Sequence, residues 1–72
     1  GPPIEEDRSM ILRITSEATK GKNGKEGGEL FYLREVPHDP GRTIQATALS
    51  LEGAKWLASR ITGVERLELP KD

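Results

Sequence analysis

The sequence predicts an α+β domain: a small antiparallel sheet of three strands, extendable to four, packed on one C-terminal helix in the order β-β-β-α(-β). Three observations predict it. Stretches of alternating β-branched and aliphatic residues recur at 10–17, 30–36 and 43–49. Segments rich in Gly, Pro, Asn and Asp separate them. An amphipathic stretch that opens on Ser50 follows the third.

The first strand, MILRITSE, points Met10, Leu12 and Ile14 one way and Ile11, Arg13 and Thr15 the other. The segment TKGKNGKEGG at 19–28 has four glycines and an Asn, a composition that reads as a mobile loop rather than a tight turn. The second strand, LFYLREV, ends where Pro37 stops its pairing. PHDPG at 37–41 is turn chemistry, since Asp39 can bond its own backbone and Pro40 presets φ. The third strand, TIQATAL, alternates Ile44, Ala46 and Ala48 against Thr43, Gln45 and Thr47.

Ser50 then supplies a helix N-cap, with Glu52 in the first turn, where the dipole favours an anion. The helix is expected over 51–61, burying a stripe of Leu51, Ala54, Leu57, Ala58 and Ile61. Gly63 stands where a C-terminal cap belongs. VERLEL at 64–69 reads either as a short strand or as an extended arm, closed by Pro70.

Size and composition bound what such a domain can do. Seventy-two residues, 33% of them hydrophobic and 4% aromatic, make one domain with a thin core. Domains this small often recruit a second copy or a partner to bury more surface. Gly1-Pro2 reads as the scar of a cleaved tag, 1–9 as a flexible tail, 10–69 as the domain and 70–72 as a second tail. With no cysteine there is neither a disulfide framework nor a thiolate metal site, and no apolar run is long enough to span a membrane. An intracellular protein of cytoplasm or nucleus is the expectation. The net charge of −1 argues against a generically polybasic nucleic-acid binder, so phosphate binding has to come from local segregation of charge. Lys20, Lys22 and Lys25 provide such a cluster, with no acid between them.

The alternation assigns the two faces of the sheet. If Leu12, Ile14, Phe31, Leu33, Ile44, Ala46 and Ala48 face the helix, the core is wholly apolar. Shifting a strand by one residue would bring Arg13, Arg34 or Gln45 inside, at a cost of several kcal/mol for an unpaired charge (roughly 2–7 for a buried polar group, more for a charge). The other face then collects Arg13, Thr15, Tyr32, Arg34, Gln45 and Thr47. An aromatic among arginines on an open sheet suits base stacking, with the guanidiniums pairing to phosphates. Polar side chains are also what any antiparallel sheet carries on its wet face. The three loop lysines can sweep onto a phosphate backbone or serve only as a solvated hairpin end; the GxxxxGK[ST] spacing of a P-loop is absent.

Trp56 falls about 140° round the helix from Leu51, off the apolar stripe, and Arg60 follows one turn later, within stacking reach. Either the indole meets a partner, a second copy being the natural one, or it folds back over the core edge on Val64 or Leu67. No catalytic constellation emerges. His38 beside Asp39 and near Glu35 lacks the converging ligands of a metal site, and Ser16, Ser50 and Ser59 have no histidine placed as a base. No cofactor is expected, and the chain reads as no enzyme.

PGRTIQATALSLEGAKWLASRI, residues 40–61, resembles the end of the PC4-type transcriptional coactivators: a Pro-Gly turn, a strand, and a Ser-capped helix bearing a tryptophan. The resemblance implies a dimer that binds single-stranded DNA, with Trp56 at the helix interface and the sheet arginines on the strand. The chain departs from that pattern in its fused ATALSLEG segment, in having fewer upstream strands, and in continuing into VERLEL. A three-stranded sheet with one helix also resembles the plan of plant AP2-type and integrase-arm domains, which read duplex DNA. The expectation is therefore a nucleic-acid-binding module, single-stranded DNA or RNA before duplex, that uses Arg13, Tyr32 and Arg34 with Lys20, Lys22 and Lys25. Trp56 and Arg60 form the expected interface of a homodimer. The rival is a protein-interaction module acting through a sheet edge or the tryptophan-bearing helix.

Overall fold

The computed structural model describes residues 10–71; the expected tag scar and tail at 1–9 and the last residue of the expected C-terminal tail lie outside the described residues. The elements are β1 (Met10–Ala18), β2 (Glu29–Glu35), β3 (Gln45–Ala48), α1 (Leu51–Ser59) and β4 (Val64–Glu68). They build one four-stranded sheet in the order β3-β2-β1-β4, with α1 on one face. β1 pairs antiparallel with β2, and β2 with β3.

The expected three- to four-stranded sheet with one helix is what the chain builds, with one correction: the sheet is not purely antiparallel. VERLEL is a strand, and it lies parallel to β1, so the sheet is mixed. α1 is therefore a crossover between β3 and β4, and VERLEL takes the strand reading of the two it was given. The physical reason is topological: a helix that carries the chain back along the sheet delivers the next strand parallel to the one it left. β4 also carries a bulge, because Met10 faces Val64 while Ile11 faces Arg66, leaving Glu65 without a partner across the ladder. That extra residue puts both Val64 and Leu67 against the core, which strict alternation forbids.

The core sits between sheet and helix where the faces predict it. Leu12, Ile14 and Leu33 are fully buried, and Ala54 and Ala58 of α1 and Met10 at the start of β1 are buried beside them. Phe31, Ile44, Ala46, Ala48, Leu51, Leu57, Ile61, Val64 and Leu67 pack around them. Small alanines on α1 let the helix lie close to the sheet, so few large residues suffice.

Ser50 caps α1 through its Oγ, which accepts from the Gly53 amide at 3.0 Å. The helix stops two residues earlier than expected. The Arg60 amide reaches back to Leu57 and the Ile61 amide to Ala58, the tighter i→i−3 bonds that unwind a helix end. Gly63 (φ +80°) is not the cap; it turns the chain into β4 and accepts from the Met10 amide at 3.1 Å. β3 is also shorter than its alternating run.

Between β2 and β3 the turn closes as its residues predict. The Gly41 amide donates to Asp39 Oδ1 at 2.7 Å, and the Arg42 amide to the Asp39 carbonyl at 3.1 Å. Arg42 grips Glu35 with both forks, Nε at 3.0 Å and Nη2 at 2.6 Å. Glu35 stands across from buried Leu12, so this pair satisfies a carboxylate at the border of the core. The guanidinium's hydrogen bonds hold the Glu35 carboxyl below its usual range. No described helix is long and apolar enough to cross a membrane.

Candidate nucleic-acid interface

The face opposite α1 is built by the register of four strands. Glu68, Arg13, Arg34 and Gln45 stand side by side in one row across β4, β1, β2 and β3. In the next row Tyr32 lies between Thr15 and Thr47. Tyr32 is thus flanked across the strands by hydroxyls, not by the two arginines, which instead face each other one step along. Tyr32, Arg34, Gln45 and Thr47 help line an open depression on this face.

Two guanidiniums as direct cross-strand neighbours repel each other and cost sheet stability. Their surroundings differ. Arg13 donates through Nε to Glu68 Oε1 at 2.8 Å. The same carboxylate takes Arg66 at 3.1 Å on its other oxygen. Hydrogen bonds from Arg13 foremost, and then from Arg66, hold the Glu68 carboxyl below its usual range, so it is a carboxylate at neutral pH. Arg34 is exposed and has no hydrogen bond or ion pair among the described residues. One carboxylate therefore serves two arginines while the third stands open beside Tyr32.

Sequence reasoning missed Glu68 and Arg66. The signal that could have found them is the alternation of acid and base in VERLEL, which becomes meaningful only once that strand is placed beside β1.

The lysines stand on the end of the β1–β2 hairpin. The 19–28 segment contains a tight turn after all. Asn23 (φ +55°) and Gly24 (φ +74°) are both left-handed, and the Lys25 amide donates to the Lys22 carbonyl at 3.1 Å, the pattern of a type I′ turn. Below it, the Thr19 amide donates to the Gly28 carbonyl at 2.8 Å and the Gly28 amide to Thr19 Oγ1 at 2.9 Å. Gly27 is required there, because a Cβ would lie 1.7 Å from the Thr19 carbonyl oxygen. Lys20, Lys22 and Lys25 are exposed on the closed end of the hairpin, and even the nearest, Lys20, is about 17 Å from Thr15 at strand rise. The segment continues the hairpin, and no hydrogen bond or ion pair among the described residues ties these lysines to the open face.

Trp56 is 61% exposed on the outer side of α1, and the Arg60 guanidinium carbon stands 5.6 Å from the ring centroid. That distance allows a cation–π contact. The two residues lie on the helix side of the domain, away from the Tyr32 row. Among the described residues no three side chains converge as metal ligands, and Glu35, near His38, is occupied by Arg42.

Comparison with known protein families, with curated proteins and with solved structures finds no match to this chain.

Proposed function

We propose that this chain is a non-enzymatic nucleic-acid-binding module that lays a single strand, DNA or RNA, across the open face of its sheet. One observation carries the reading: Arg13 and Arg34 are opposed cross-strand, an arrangement that weakens the sheet, directly beside the one aromatic of that face. Places where a strand pairing breaks a local stability rule are where function is expected. Phosphates between the two guanidiniums relieve the repulsion, and Tyr32 offers its ring to a base, which is how sequence-tolerant single-strand sites work. Thr15, Thr47 and Gln45 supply hydrogen bonds around it. The tip lysines add long-range attraction without geometric demand.

Fluorescence anisotropy with labelled single-stranded and duplex oligonucleotides tests this directly. Micromolar or tighter binding that prefers the single strand is expected near 50 mM salt. Five cations, Arg13, Arg34 and the three tip lysines, limit the slope of log K against log salt to about −3.5 for a single strand. Absence of binding at that salt overturns the reading.

It would leave the second one, a protein-interaction module, in front. The exposure of Trp56 favours that alternative, since a lone indole on an outer helix face is a common anchor for a partner.

A further inference from the structure

β1 is nine residues long, but β4 covers only its first four, Met10 to Arg13. After Glu68 the chain leaves the sheet, and Leu69, Pro70 and Lys71 line a notch together with Arg13, Ile14 and Thr15. From Ile14 onward the β1 edge turned away from β2 has no strand beside it among the described residues.

The backbone of that edge is aimed outward. The Ile11 carbonyl accepts from Val36, and the Thr19 amide donates to Gly28, so the odd residues of β1 direct their main-chain groups to the β2 side. Met10, an even residue, donates to Gly63 on the β4 side. By alternation Ile14, Ser16 and Ala18 present their N–H and C=O groups to the open edge. Sheet edges are normally blunted by shortness, bulges, Pro or Lys. β3 has four residues, and β4 has five with a bulge and a following Pro70. The 14–18 stretch, ITSEA, has neither Pro nor Lys, and the β1 irregularity lies elsewhere, at Met10/Ile11.

We infer that this edge pairs antiparallel with the same edge of a second copy, centred on Ser16. The register is bounded from both sides. Centring on Thr15 would set the end of the partner's β1 against Leu12 and Arg13, which β4 already covers. Centring on Glu17 would oppose two glutamates directly, which is destabilising. Centring on Ser16 sets Ile14 against Ala18 of the partner subunit and Thr15 against Glu17 of the partner subunit. No like charges then meet, and the even residues exchange their free hydrogen bonds. The two-fold axis runs perpendicular to the sheet, so both open faces lie on one side and the two Tyr32 rows share a single surface. This dimer uses the sheet edge and leaves the Trp56 face free. It does not depend on nucleic-acid binding, and its test contains none.

The chain has no cysteine, so engineered ones report cleanly. Across a hydrogen-bonded antiparallel pair the Cα atoms are about 5.5 Å apart, inside disulfide range. In the Ser16-centred register two copies of residue 17 are about 8 Å apart, outside it. Under mild oxidation Ser16→Cys is expected to give a covalent dimer within minutes, while Glu17→Cys and the open-face control Thr47→Cys stay at least tenfold behind. In sedimentation equilibrium the unmodified chain is expected to dimerise with concentration. Ser16→Pro removes an amide that faces only the open edge, so it is expected to be monomeric with an unchanged circular dichroism spectrum. A chain that stays monomeric at several hundred micromolar, or equal crosslinking through Glu17→Cys, overturns the inference.

Discussion

Tyr32 and Glu68 set the chemistry of the open face from opposite directions. Tyr32 stands between two threonines and is partly exposed on the open face. Tyr32→Ala is expected to cost about 1–3 kcal/mol of single-strand affinity, the value of one stacked base, with little change in the salt slope. Isothermal titration at two salt concentrations separates the two effects. Glu68 acts as an internal rival to a phosphate, since it already holds Arg13 and Arg66. Glu68→Gln removes the competing charge. It is expected to tighten single-strand binding several-fold and steepen the salt slope by about 0.7 as Arg66 joins the cations that meet phosphate. Weaker binding by this variant would show that Glu68 positions the arginines instead of masking them. At this scale the sequence was informative where alternation decides direction: Arg13, Tyr32 and Arg34 were all placed on the open face by a period of two. Which side chains touch was beyond it, because contact depends on register, and register depends on turns and bulges distant in the chain.

Among the elements, the β1–β2 hairpin and β4 behaved differently from their composition. Glycine content alone made 19–28 look unstructured, yet the same glycines permit a type I′ turn and a close backbone approach at Gly27. The Asn23-Gly24 pair was a hairpin signal within a longer glycine-rich run. Gly27→Ala is expected to break the Thr19–Gly28 clasp, because its methyl has no room beside the Thr19 carbonyl. Hydrogen exchange should then show lost protection at the Thr19 amide and unchanged protection at Leu33. Intact protection at Thr19 would mean that the clasp tolerates the methyl. β4 was legible as extended but not as parallel. Its neighbour is chosen by the crossover through α1 and by the bulge at Glu65, neither of which leaves a periodic mark. The helix was the most readable element, since its cap, apolar stripe and outward tryptophan are all local properties.

Taken whole, the domain is a thin core with a polar clamp at its border. Leu12, Ile14 and Leu33 are the only side chains of their size that are fully buried among the described residues, so each matters more than it would in a larger protein. Glu35 and Arg42 close the end of that core. The Glu35 carboxyl titrates lower in the folded chain than in the unfolded one, so its contribution to stability is present above the ordinary carboxylate value. That contribution is lost as pH falls through the lowered value. Glu35→Gln is accordingly expected to flatten the acid limb of a plot of urea midpoint against pH; a limb of unchanged steepness would place the acid sensitivity elsewhere. Since the Tyr32 row and the Trp56 face lie on opposite sides of the sheet–helix sandwich, a ligand bound to one leaves the other untouched. A ¹⁵N-resolved NMR titration of the intact chain with a short single-stranded oligonucleotide at low salt is therefore the most direct test. Shifts are expected at Arg13, Thr15, Tyr32, Arg34, Gln45 and Thr47, with the Trp56 indole unmoved. Shifts confined to α1 and Trp56, or none at all, would contradict the proposed interface.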